Sequence, residues 1–254
     1  MIKSIAKITV LAAALLASAC TATNLEFDRM TGTAFPQDQT VSGDTVNLES
    51  IYLDAGRLLI VQEDDINIAP LTGATGTPQN CISNAELDSL MSANRSSQIG
   101  VVTYPCGLNN AATCTRYQVY GIVVDHFGRS GGSGACSTTL IGRMWRTGDR
   151  SAFAIFYKNN TVQTNGMKYL RSAAHEIGHA LNLHHDDGDG SQTIMNQTSV
   201  VGNSFTFEFS TQSQTHLDDH RDVCANAGTG GFGEVNATHA GWTGAHGSSD
   251  PSCM

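Results

Sequence analysis

The chain has 254 residues, of which only 15% are charged, and its 14 Lys and Arg face 23 Asp and Glu for a formal charge of −9. An acidic balance of this size excludes nucleic acid as partner, because binding phosphate needs a basic surface. The chain is long enough for one domain with a sizeable core, and it shows no internal repeat.

Residues 1–19 read as a signal peptide: Lys3 and Lys7 precede an apolar run over 8–17 that is too short to span a bilayer comfortably. Ala17-Ser18-Ala19 suits a signal peptidase, and Leu16 to Cys20 also resembles a bacterial lipoprotein box in which Cys20 is lipidated. Removing 1–19 takes away two lysines and no acid, which leaves 12 basic against 23 acidic side chains, a formal −11. Apart from Cys20 the cysteines are Cys81, Cys106, Cys114, Cys136, Cys224 and Cys253. This even set predicts disulfides in an exported protein, and the pairing stays open. The expected location is the bacterial cell envelope, lipid-anchored, or the medium, with membrane contact only through that anchor.

Residues 20–45 are polar and read as a tether or short pro-segment, with the catalytic domain over 46–226. Strands are expected within 45–52 and 57–68, a helix over 84–95, and further strands at 117–127 and 151–157, separated by a Gly/Ser-rich loop at 128–134. A helix is expected over 167–183, capped by Thr164 or Asn165. Its apolar stripe is Leu170, Ala173, Ala174, Ile177 and Leu181, with His175 and His179 nearly opposite, facing a cleft. The helix should end near Asn182, a residue that tolerates a left-handed backbone. Residues 205–209 alternate aromatic and polar side chains like a strand, a late helix runs to about Cys224, and 227–254 form a Gly/Ser-rich tail.

His175-Glu176-Ile177-Gly178-His179 carries the chemistry. Two histidines four apart on a helix are about 40° apart around its axis and about 6 Å apart along it, so both rings can reach one ion. Glu176 is placed as the general base, and a turn after Leu181 would bring His185 to the same metal. Three imidazoles and a water make a catalytic zinc site with one open position.

The stretch HEIGHALNLHH from His175 to His185, followed by Thr193-Ile194-Met195-Asn196, resembles the metzincin clan of zinc endopeptidases, whose pattern is HExxHxxGxxH plus a methionine-containing turn. Asn182 stands where the clan has glycine. His184 is a neighbouring alternative ligand, but the clan's spacing selects His185. The short interval to Met195 is similar to the matrixin type, and Gln197 occupies a position that is tyrosine in some families of the clan. The resemblance implies an α+β fold with a twisted mixed sheet, an active-site helix and a second helix, then a C-terminal subdomain with the Met-turn and late helix. It also implies that Met195 forms an apolar floor under the metal. The strand 151–157 would be the edge strand that takes the peptide, through Ser151, Ala152, Phe153 and Ala154, and Gln197 would line the pocket beyond the scissile bond.

Other features read more plainly. Glu208 as third ligand is disfavoured because its segment reads as a strand. Cys106, in Tyr104-Pro105-Cys106-Gly107, reads as a disulfide partner, Cys114 being near, and not as a zinc-ligating latency cysteine. Asp186 to Gly190 reads as a solvated acidic turn, with Ca²⁺ as the alternative. His216 and His220 read as surface residues, and His126, His239 and His246 lack ligand spacing. The expected function is zinc-dependent endopeptidase action on protein or peptide substrates, by a monomer. The alternative is a non-catalytic surface lipoprotein, an adhesin or metal-binding module with a relict zinc site.

Overall fold

The computed structural model describes residues 23–71, 81–96, 100–106, 112–128, 136–137, 139–145, 151–181, 183, 185–186, 192–202 and 204–219. Residues 1–19, expected as a signal peptide, Cys20, Asn182, His184, the 187–190 part of the expected acidic turn, Cys224, Cys253 and the tail lie outside the described residues, as does nearly all of the Gly/Ser-rich loop.

The fold is mixed α+β. Its main sheet runs β4 (Leu59–Glu63), β1 (Thr23–Arg29), β7 (Ala112–Val124), β10 (Ala152–Phe156) and β9 (Gly142–Arg143). The first four are mutually parallel, β9 is antiparallel to β10, and β6 (Gly100–Cys106) pairs antiparallel with the first half of β7. Two small pairs complete the strands, β2 (Gln39–Val41) with β3 (Asp44–Val46) and β5 (Cys81–Ile82) with β8 (His126–Phe127).

Strand periodicity divides the core in two. Val119 and Val123 of β7 join Leu25, Phe27, Phe153 and Ile155 on one face, against which helix α4 (Gly166–Ala180) packs. Tyr120, Ile122 and Val124 point the other way and meet Leu87, Leu90 and Met91 of helix α2 (Asn84–Asn94). Gly121 has to be a glycine here, because a Cβ would stand 2.6 Å from the Phe153 ring and 2.9 Å from Phe27. The Cys81–Cys136 disulfide ties β5 to the segment after the Gly/Ser-rich loop.

Three sequence expectations are corrected. Residues 23–29 are not a tether but an interior strand, flanked by β4 and β7 and almost wholly buried. Leu25 and Phe27 enter one core, while Glu26 and Asp28 find partners on the other face: Ser96 N–H to Glu26 at 2.5 Å, and Asp65 N–H and the Tyr120 hydroxyl to Asp28 at 3.0 and 2.8 Å. Within 45–52, where a strand was expected, the chain instead enters helix α1 (Leu48–Asp54), for which Asn47 and Ser50 make a reciprocal capping box. Residues 205–209 form no named strand, although Thr206 N–H reaches Gln192 O and Ile194 N–H reaches Glu208 O, both at 2.9 Å.

Helix α3 (Asn160–Thr164) leads into α4, and two later helices, α5 (Thr198–Val201) and α6 (Thr211–Asp219), follow the turn around Met195. The described part of α6 is where the late helix was expected.

Candidate metal centre

Helix α4 begins where Asn165 accepts the Lys168 N–H at 3.0 Å, one of the two expected caps. All five residues of the predicted stripe lie in the core beneath it. At its end the Leu183 N–H bonds back to Gly178 O at 2.9 Å, the six-residue return by which a helix C-terminus turns. That turn carries His185 back over the helix.

The structure brings His175, His179 and His185 together. Their Nε2 atoms lie 3.1 Å apart between His179 and His185, and 3.2 Å between His175 and His185. The Nδ1 of His175 is 2.7 Å from Ile194 O, and that of His179 is 3.0 Å from Leu183 O. A carbonyl can only accept, so both Nδ1 atoms carry the hydrogen and both Nε2 atoms present lone pairs. Lone pairs gathered this closely repel unless a cation lies among them. Nitrogens of a tetrahedral zinc site, each about 2.0–2.1 Å from the ion, stand about 3.3 Å from one another. The trio fits such an ion, and its carbonyl partners are the usual outer support of a ligating imidazole.

The histidines are more enclosed than a helical wheel suggests. His175 and His179 are buried and His185 half-buried, because Leu183, Ile194 and Met195 fold over the helix. Burial drives the His175 ring down to about 3, with the charges of His185 and Arg171 acting in the same direction, so it stays neutral and able to ligate.

Glu176 is buried too, and burial pushes its carboxyl up to about 8, against the opposing pull of the Met144 N–H bond and the Arg143 charge. It lies against the sheet edge: a Cβ on Gly142 would stand 2.6 Å from its Cγ and Oε1. A carboxyl in this range can take and return a proton near neutral pH.

Met195 is completely buried and its sulfur lies under the backbone of Gly178. Gln197, exposed just beyond it, occupies the N-cap position of α5. Glu208 is exposed, on the segment paired with the Met195 turn.

The structure reverses the edge-strand expectation for Ser151, Ala152, Phe153 and Ala154. β10 lies between β7 and β9, the latter pairing with it at Ala154 and Ile155, and all four residues are buried. The sheet ends instead at β9, which has no further strand beside it among the described residues.

Asp186 is likewise no part of a solvated turn. It is 2% exposed, donates its N–H to Met195 O at 3.2 Å, and accepts hydroxyl bonds from Ser213 at 3.1 Å and Thr193 at 3.4 Å. Sequence reading missed this link between ligand loop, Met195 turn and α6. It also missed Arg171, whose spacing four residues before His175 was the available signal. Cys114 faces Tyr104, and Cys106 faces Ala112, across β6 and β7, but the Cys106 and Cys114 side chains lie outside the described residues, as does that of His216.

No helix among the described residues is long and apolar enough to cross a membrane. No protein-family model matches this chain, and no curated protein matches it.

Proposed function

We propose that the chain is a zinc-dependent endopeptidase of the metzincin type. The observation that carries this reading is the convergence of three imidazole nitrogens within 3.1–3.2 Å contacts, two of them held as lone-pair donors by backbone carbonyls, beside the buried Glu176. His175, His179 and His185 would hold the ion. When bound, zinc supplies Lewis-acid chemistry, acidifying water and polarising a carbonyl. Glu176 takes the proton from the attacking water on its carboxylate and hands it to the departing amine nitrogen. Gly142 leaves room for that carboxylate, and the outer edge of β9 offers backbone groups to an extended substrate. Gln197 remains the proposed contact beyond the scissile bond.

Export fits the chemistry of the cysteines, since the Cys81–Cys136 bond persists in an oxidising compartment. We place the protein outside the cytoplasm, anchored through Cys20 or released.

The test is cleavage of a peptide library, read by mass spectrometry, with zinc content measured in parallel. Wild type should cleave, a chelator should stop it, and Glu176→Gln should keep zinc while losing about 10²–10⁴-fold in rate. Tight zinc binding without chelator-sensitive cleavage would reject the peptidase and favour a metal-binding surface module.

A further inference from the structure

Arg171 sits one helical turn before His175 on α4 and is only 2% exposed. Its Nη2 donates to three carbonyls of the Met195 turn: Thr193 O at 2.9 Å, Ile194 O at 3.0 Å, and Asn196 O. The Phe205 ring covers the guanidinium, 5.5 Å from its carbon. Arginine is seldom this deep, and here the two N–H groups of one nitrogen are shared among the three carbonyls. Here those carbonyls stand on both sides of Met195.

Ile194 O has a second donor, the Nδ1–H of His175 at 2.7 Å. The direction in which a ligating imidazole presents its free nitrogen is set by where its other nitrogen is anchored. For His175 that anchor is a carbonyl in a turn, and a turn can shift. Arg171 grips the same carbonyl from the same rigid helix, so the position of the anchor is measured from the backbone that carries the ring.

We propose that Arg171 is a positioning residue for the metal centre: it locks the turn around Met195 onto α4 and, through the shared Ile194 carbonyl, aims the His175 ring. This rests on reading the three histidines as metal ligands. Arg171 touches neither ion nor substrate in this role. It acts through Ile194.

The experiment compares wild type, Arg171→Met and Arg171→Lys in the full chain. Zinc affinity is read by competition with a chromophoric chelator, ligand geometry by the visible spectrum of the Co²⁺ form, and folding by circular dichroism of the metal-free protein. Removing an outer partner of a ligating histidine costs about 10–100-fold in metal affinity, and Arg171→Met, which loosens the Ile194 carbonyl without removing it, should show a loss at the low end, about 10-fold, with altered Co²⁺ bands. Lysine brings three N–H groups on one nitrogen, as a single nitrogen serves all three carbonyls here, and should recover part of the loss. Should Arg171→Met fail to fold, Arg171→Gln takes its place. A folded variant lacking the guanidinium that binds zinc as wild type does would overturn the proposal, as would a lysine variant no better than the methionine one. Wild type that binds no zinc would overturn the metal-site reading along with it, and the wild-type measurement alone identifies that case.

Discussion

Met195 and Gly178 are fitted to each other: a Cβ on Gly178 would come 2.5 Å from the Met195 sulfur and 3.2 Å from its methyl carbon. The glycine in the last turn of α4 is a gap that the methionine fills. Ordinarily Gly→Ala inside a helix gains about 0.5–1 kcal/mol. At Gly178 overpacking should reverse the sign, to a loss of about 1–3 kcal/mol in chemical denaturation. In a Met195→Ala background the same change should become neutral or stabilising, since the obstacle is gone. Independent, additive effects in that double-mutant cycle would contradict the fit.

Gly142 bears the same relation to Glu176, but there the consequence is chemical. Gly142→Ala places a methyl group 2.6 Å from the Glu176 Cγ and Oε1, so the carboxylate must move. The expected result is a large loss of peptide cleavage with zinc content unchanged. Gly121→Ala, a clash with Phe153 in the sheet interior, should instead lower the melting temperature. Full activity in folded Gly142→Ala would contradict the placement of the base.

Asp28 predicts a dependence on pH. Burial raises its carboxyl from 3.8 to about 6, only partly offset by the Tyr120 and Asp65 hydrogen bonds. Between these values the folded state binds more protons than the unfolded one, so stability falls as pH rises. The contribution is fully present below 3.8 and lost as pH passes through about 6. Asp28→Asn can keep both partners, since its oxygen accepts from Asp65 and its amide donates to the Tyr120 hydroxyl. That variant should flatten the slope of the urea midpoint between about pH 4 and 6. An unchanged slope would remove Asp28 as its source.

The Cys81–Cys136 bond closes 55 residues of sequence that include α2, β6 and all of β7. Replacing both cysteines by alanine should lower stability by up to about 4 kcal/mol from the entropy returned to the unfolded chain. Equal denaturation midpoints for the double variant and the oxidised wild type would show that the crosslink is energetically idle.

Helix α4 is legible in the sequence because its information is local. Asn165, the stripe from Leu170 to Leu181 and the four-residue step from His175 to His179 all follow from one period, and the structure shows them as expected. β1 escapes a sequence reading because Asn24, Glu26 and Asp28 look like solvated residues. All three are buried, and Ser96, Asp65 and Tyr120 supply partners to Glu26 and Asp28 from distant segments. The alternation of Leu25 and Phe27 with Glu26 and Asp28 is nevertheless a strand signal. β10 is recognisable as a strand, but its place in the sheet differs from the expected edge. Its continuous apolar run, Ala152 to Phe156, is what a strand covered on both faces requires, and an edge strand rarely needs it.

The sequence by itself determined the three imidazoles, their spacing, the carboxyl group beside the first and the methionine beyond the third, because these depend only on residues close along the chain. Tertiary structure alone decided that β9 is the open edge, that Asp186 and Arg171 tie the turn around Met195 to its neighbours, and that Glu176 rests against Gly142. Strand order and the matching of buried polar groups are settled by contacts between segments far apart in sequence, and no local period records them.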